Sequence, residues 1–145
     1  MFFKSKNISL DIISVLSLEW ESQNAKSGLR PFHALSYRTK GDAKFITEEN
    51  ELYVGSNELT FVPANLEYSM VASNENLIVI HFLSDNVLPN KIIKFSPNNP
   101  AYFERKFYEL HNIWSKKHFG YEYEAKSIIY KIISKIESEV AESKP

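Results

Sequence analysis

Between residues 8 and 85 the apolar side chains alternate with polar ones or fall in short runs, and each stretch ends in turn chemistry. Seven candidate strands follow: Ile8 to Trp20, Phe32 to Thr39, Ala43 to Thr47, Glu51 to Val54, Glu58 to Val62, Leu66 to Ala72 and Asn76 to Leu83. Lys40-Gly41-Asp42, Glu48-Glu49-Asn50, Gly55-Ser56-Asn57 and Ser73-Asn74-Glu75 supply the turns. So many short strands in so little chain must dispose of their unpaired edges, and a closed jelly-roll barrel does this better than an open sandwich. The sequence therefore predicts a barrel over residues 1–97.

From Asn98 the period changes. Asn99 is placed to cap a helix, Pro100 suits its first turn, and Phe103, Phe107, Leu110 and Trp114 recur at helical spacing. Lys116, Lys117 and His118 followed by Gly120 predict its end, since cations oppose the negative pole and glycine takes positive φ. A second helix is predicted from about Tyr121 to Val140, with Ala125, Ile128, Ile129, Ile132, Ile133, Ile136 and Val140 on one stripe. Two uses for that stripe stand open: packing inside the monomer, or a homodimer interface through Ile129, Ile133 and Ile136. Residues 98–141 thus form a two-helix region, and the polar residues 142–145 are expected to begin a linker.

Composition excludes several function classes. Seventeen basic and eighteen acidic residues leave a net charge of -1, so the chain has no excess positive charge to neutralise phosphates and is expected to bind nucleic acid poorly by itself. With no cysteine there is no disulfide and no thiolate chemistry, which fits the cytoplasm. The first twenty residues lack the continuous apolar run of a signal peptide or a spanning helix, so no membrane partner is expected. The four histidines, His33, His81, His111 and His118, form no His-x-His pair, and neither a Gly-x-Ser-x-Gly elbow nor a phosphate-cradling glycine loop occurs. The sequence predicts no metal, no cofactor and no enzyme activity.

The stretch RPFHALSYRTKGDAKFITEENELYVGSNELTFVPANLEYSM, from Arg30 to Met70, resembles the cupin-like effector domain of AraC-family transcription regulators. In that family a glycine turn precedes an amphipathic hairpin and then a Gly-Asp-Leu, hydrophobic, Pro-Pro-Gly segment; Gly41, Gly55, Leu59, Phe61, Val62 and Pro63 hold the matching places. Leu77 to Asp85 looks like the closing strand, and the two helices look like the dimerising pair. The pattern departs at Pro63-Ala64-Asn65-Leu66-Glu67-Tyr68, where Tyr68 stands at the position of the family's histidine. The resemblance implies a ligand-sensing, dimerising domain that binds a small-molecule effector, a sugar among the candidates. DNA would be bound only through a helix-turn-helix region outside this chain.

A barrel pocket needs apolar and aromatic walls with a few polar groups. The resemblance puts Arg38 where a sugar-responsive member carries a ligand-contacting arginine; an arginine snorkelling at the barrel mouth or paired with a glutamate is the alternative. Tyr68 and His81 are further candidates, as are His33 and Tyr37, whose strand parity is opposite to that of Arg38, so that only one set can point inward without a bulge. Trp20, Tyr53 and Phe61 are candidate wall residues, with plain core packing as the other reading. A stand-alone cupin enzyme or isomerase is the rival function.

Overall fold

The computed structural model describes Phe3, residues 8–87 and residues 89–143. The chain runs β1 (Asp11–Ser27), β2 (His33–Ile46), β3 (Glu51–Val54), β4 (Leu59–Val62), β5 (Tyr68–Leu83), β6 (Ile93–Phe95), α1 (Pro100–Lys116) and α2 (Tyr121–Glu142). Residues 144 and 145 of the expected linker lie outside the described part, and Glu142 is still helical. All pairings are antiparallel, in the order β1-β5-β2-β4-β6, with β3 also on β2.

Two predicted turns are not reversals. Lys40-Gly41-Asp42 lies inside β2 and Ser73-Asn74-Glu75 inside β5, and the two strands stay paired on both sides of these points. The register slips at Lys40, and Gly41 takes φ +83°, where a Cβ would lie 2.3 Å from the Asn74 carbonyl oxygen. Only glycine fits this crossing, so the turn residues bend a continuous ladder instead of ending it. The bend folds the sheet over itself. Ala34, Val62, Leu77 and Val79 from one side of it share a buried cluster with Ala43, Phe45, Val54 and Ala72 from the other.

The opposite face of the first side carries Leu35, Tyr37, Leu59, Phe61, Ile78, Ile80 and Phe82, and both helices pack on it. Residues 34–38, 59–62 and 77–80 are therefore buried on both faces, which is why their sequence loses alternation. The strand β6 was not expected from sequence; three residues between Pro89 and Pro97 give too short a pattern to detect.

Asn99 caps α1 as its position suggests, its side chain accepting from the Tyr102 N–H at 3.3 Å. The end differs: Lys117, not Gly120, takes the left-handed cap at φ 51° and donates to the Ile113 carbonyl. Gly120, at φ 84°, instead begins α2, whose first turn carries Glu122 and Glu124 against the positive pole. Phe103, Phe107 and Leu110 are fully buried between α2 and the sheet.

The isoleucine stripe requires a correction. Ile129, Ile133 and Ile136 are 1%, 5% and 4% exposed and belong to the monomer's own core, along with Ile128 and Ile132. The reason is area: the sheet face from Leu35 to Phe82, together with α1, is broad enough to cover the whole stripe. A second copy of the chain would have to use other residues.

Candidate functional site

The deepest polar group is an ion pair at the bend. Arg38 and Glu75 each have side chains 1% exposed; Arg38 Nε and Nη2 both lie 2.6 Å from Glu75 Oε2. Trp20 Nε1 donates to Glu75 Oε1 at 3.0 Å, and Arg38 Nη1 reaches Thr60 Oγ1 at 3.4 Å. A guanidinium is tolerated so deep only when its charge and donors are matched, and here Glu75 and Thr60 do this. Arg38 is therefore the paired arginine of the alternative reading, with its donors already engaged inside the protein.

A second cluster lies nearer the surface, where the β1–β2 loop meets the start of β5. Pro31 biases Arg30 toward extended backbone, and the Arg30 carbonyl accepts from Asn65 N–H at 2.7 Å, which fixes the loop. The Arg30 guanidinium lies 5.3 Å from the Phe32 ring centre and 5.7 Å from that of Tyr68, and Nη2 donates to the Tyr68 hydroxyl. Phe32 packs on His81 at 4.5 Å, and His81 Nδ1 lies 3.2 Å from Ser14 Oγ. Arg30 has no salt bridge to a described carboxylate. An adjoining cleft of about 380 Å³ is lined by Leu29, Thr47, Asn50, Asn65, Glu67 and Lys91 among others.

The structure thus brings together Tyr68 and His81 but separates the other sequence candidates. His33 and Tyr37 project to the helix side. His33 lies between Phe61 and Phe82, its Nδ1 accepting from Ala64 N–H at 2.9 Å and its Nε2 3.3 Å from the Ser84 carbonyl. Those partners suit a neutral ring protonated at Nε2. The Tyr37 hydroxyl donates to Asn57 Oδ1 at 3.0 Å, and burial, followed by the nearby Glu104 and Tyr108 charges, pushes its pKa up to about 12. Of the wall candidates, Trp20 bonds Glu75, Phe61 faces the helices and Tyr53 is exposed. Arg30, Phe32 and Glu75 were not singled out from sequence. An arginine just before a proline and an aromatic residue was the available signal for the first two; Glu75, sitting in turn chemistry, offered none.

Burial lowers the pKa of both His33 and His81, and in His81 the Arg30 charge lowers it further. The unfolded chain then binds protons more readily than the folded one just below the ordinary histidine value of about 6.5. Stability is complete above that pH and falls as the pH drops toward the depressed folded values. Thermal melts between pH 7.5 and 5 are expected to show a falling Tm, with a shallower fall in His33→Gln; a Tm that rises on acidification contradicts the assignment.

Among the described residues no three His, Asp or Glu side chains converge to hold a metal ion, and no helix is long and apolar enough to cross a membrane. A folded-over antiparallel sheet backed by two C-terminal helices is the fold that this chain shares with AraC-like regulators among solved structures. Among solved structures, the AraC-like transcriptional activator CuxR matches with a TM-score of 0.64 at 10% identity, over 90% of this chain and 52% of that one. ToxT from Vibrio cholerae with an unsaturated fatty acid bound matches with a TM-score of 0.53 at 11% identity, over 93% of this chain and 57% of that one. The chain thus spans about half the length of the solved proteins it matches. No protein-family model and no curated protein matches the sequence.

Proposed function

We propose that this chain is the effector-sensing part of a cytoplasmic AraC-type transcription regulator and has no catalytic role. The effector we assign is a small organic acid with an apolar body. The observation that carries this is Arg30: a part-exposed guanidinium with no salt bridge to a described carboxylate, flanked by Phe32 and Tyr68 and close to His81. An acid's carboxylate would take the two-pronged guanidinium geometry and its body the aromatic faces. The fatty acid bound to ToxT supports that class. A sugar held by Arg38, the resemblance's suggestion, fits less well because Arg38 is already neutralised by Glu75.

Arg30 lies on the loop entering β2, whereas Tyr68 begins β5, so a ligand held between them would favour one arrangement of these two strands. It can shift a regulator only by its difference in affinity between two arrangements. The reading includes a homodimer and a DNA-binding region outside residues 1–145. Thermal shift with a panel of mono-carboxylic acids and neutral sugars tests it. A dose-dependent rise in Tm with an acid, lost in Arg30→Gln, is expected. Stabilisation by a sugar that survives Arg30→Gln replaces the acid with a polyol, and chemical turnover of any panel member overturns the sensor reading.

A further inference from the structure

The outward face of the helical pair carries a concentration of positive charge that the near-neutral total conceals. On α1, Tyr102, Arg105 and Lys106 share one face at spacings of three and four residues. On α2, Tyr130, Lys131, Ser134, Lys135 and Ser138 form the face opposite the buried isoleucines. Between the two lies a cleft of about 380 Å³ lined by Tyr102, Tyr130, Lys131, Ser134, Lys135 and Ser138.

Three cations converge on one ring. Arg105 Cζ is 5.9 Å from the centre of Tyr102, and Lys106 Nζ and Lys135 Nζ are each 5.6 Å away. Lys106 pairs with Glu109 at 3.4 Å, and Ser138 Oγ donates to Glu142 at 3.4 Å. Arg105, Lys131 and Lys135 have no salt bridge to a described carboxylate. Like charges gathered this closely repel one another, and a multiply charged anion relieves that repulsion while accepting their donors.

We propose that the cleft between Tyr102 of α1 and the Lys131–Lys135 turn of α2 binds a phosphate-bearing small molecule. The phosphates meet Lys131, Lys135 and Arg105, with the Ser134 hydroxyl as a further donor. The exposed Tyr130 ring and the Tyr102 ring offer faces to a planar group if the ligand carries one. This site is on the far side of the helices from Arg30, so it can be occupied independently of the acid site.

Isothermal titration of the purified chain with inorganic phosphate, pyrophosphate and ATP distinguishes the sources of that chemistry. Saturable binding of pyrophosphate or ATP, weakened about tenfold or more in Lys131→Glu/Lys135→Glu, is expected. Tighter binding of ATP than of pyrophosphate, with the difference lost in Tyr130→Ala, assigns the nucleotide; equal binding assigns the phosphate group alone. Both lysines have exposed or half-exposed side chains, and circular dichroism verifies that the double variant is folded. No saturable heat with any of the three probes, or equal binding by the folded double variant, overturns the proposal. So does binding confined to duplex DNA.

Discussion

Replacing Glu75 with leucine is expected to lower the free energy of unfolding by about 3–5 kcal/mol, because it strands the Arg38 charge where water cannot reach it. Three other groups feel the loss: Arg38 Nε and Nη2 lose their acceptor, and Trp20 Nε1 loses Glu75 Oε1. The double variant Arg38→Met/Glu75→Leu removes both charges together and replaces them with apolar groups of similar bulk. It is expected to recover most of the loss or to exceed the parent, since the Coulomb attraction of such a pair roughly offsets its desolvation. Urea denaturation of the parent, both single variants and the double variant closes the cycle. Trp20 also gives a local reading, since its indole N–H would lose a buried partner and its emission would shift. A single Glu75→Leu cost below about 1 kcal/mol would mean that the pair is open to solvent, contrary to its 1% exposure.

That pair also shows what the sequence could and could not reveal. Alternation and turn residues located five of the six strands, and the helical periodicity of Phe103, Phe107 and Leu110 and of the isoleucines located both helices. Local signals report local geometry, and they did so accurately at Asn99 and at the Gly55-Ser56-Asn57 turn, where Asn57 takes φ 66°. They could not distinguish a turn that reverses the chain from a bend shared by two paired strands. Gly41 and Asn74 face each other across β2 and β5, so the distinction depends on a contact between residues 33 positions apart.

Side-chain parity met the same limit. His33, Tyr37 and Arg38 are mutually exclusive as inward residues only on a strand with one buried face. Residues 34–38 are buried on both, so Tyr37 packs against Phe107 while Arg38 meets Glu75. Of the five candidate ligand residues, Tyr68 and His81 come together, and the Arg30 that joins them lies in a loop whose sequence carries no periodic pattern. Its placement is set by tertiary contacts, the Asn65 N–H and the Tyr68 hydroxyl, which no window of sequence contains.

The helical stripe gives the other large effect. Ile133→Asp is expected to unfold the chain, not to separate two folded copies, because the new carboxylate would sit 5% exposed in a cluster of apolar side chains. A carboxyl group there must either stay charged without a partner or take up a proton at a cost set by its burial, and either way the loss is about 4 kcal/mol or more. Ile133→Leu keeps the volume and is expected to cost less than about 1.5 kcal/mol. Ser127→Asp, on the exposed side of the same helix, should change stability by no more than about 0.5 kcal/mol. Far-UV circular dichroism read beside sedimentation velocity separates the possibilities. Loss of helical signal in Ile133→Asp, with both controls folded, follows from intramolecular burial. A folded Ile133→Asp chain that sediments as a smaller species than the parent would return the stripe to a subunit interface. It would also require the two helices to open away from the sheet face that now covers Ile129, Ile133 and Ile136.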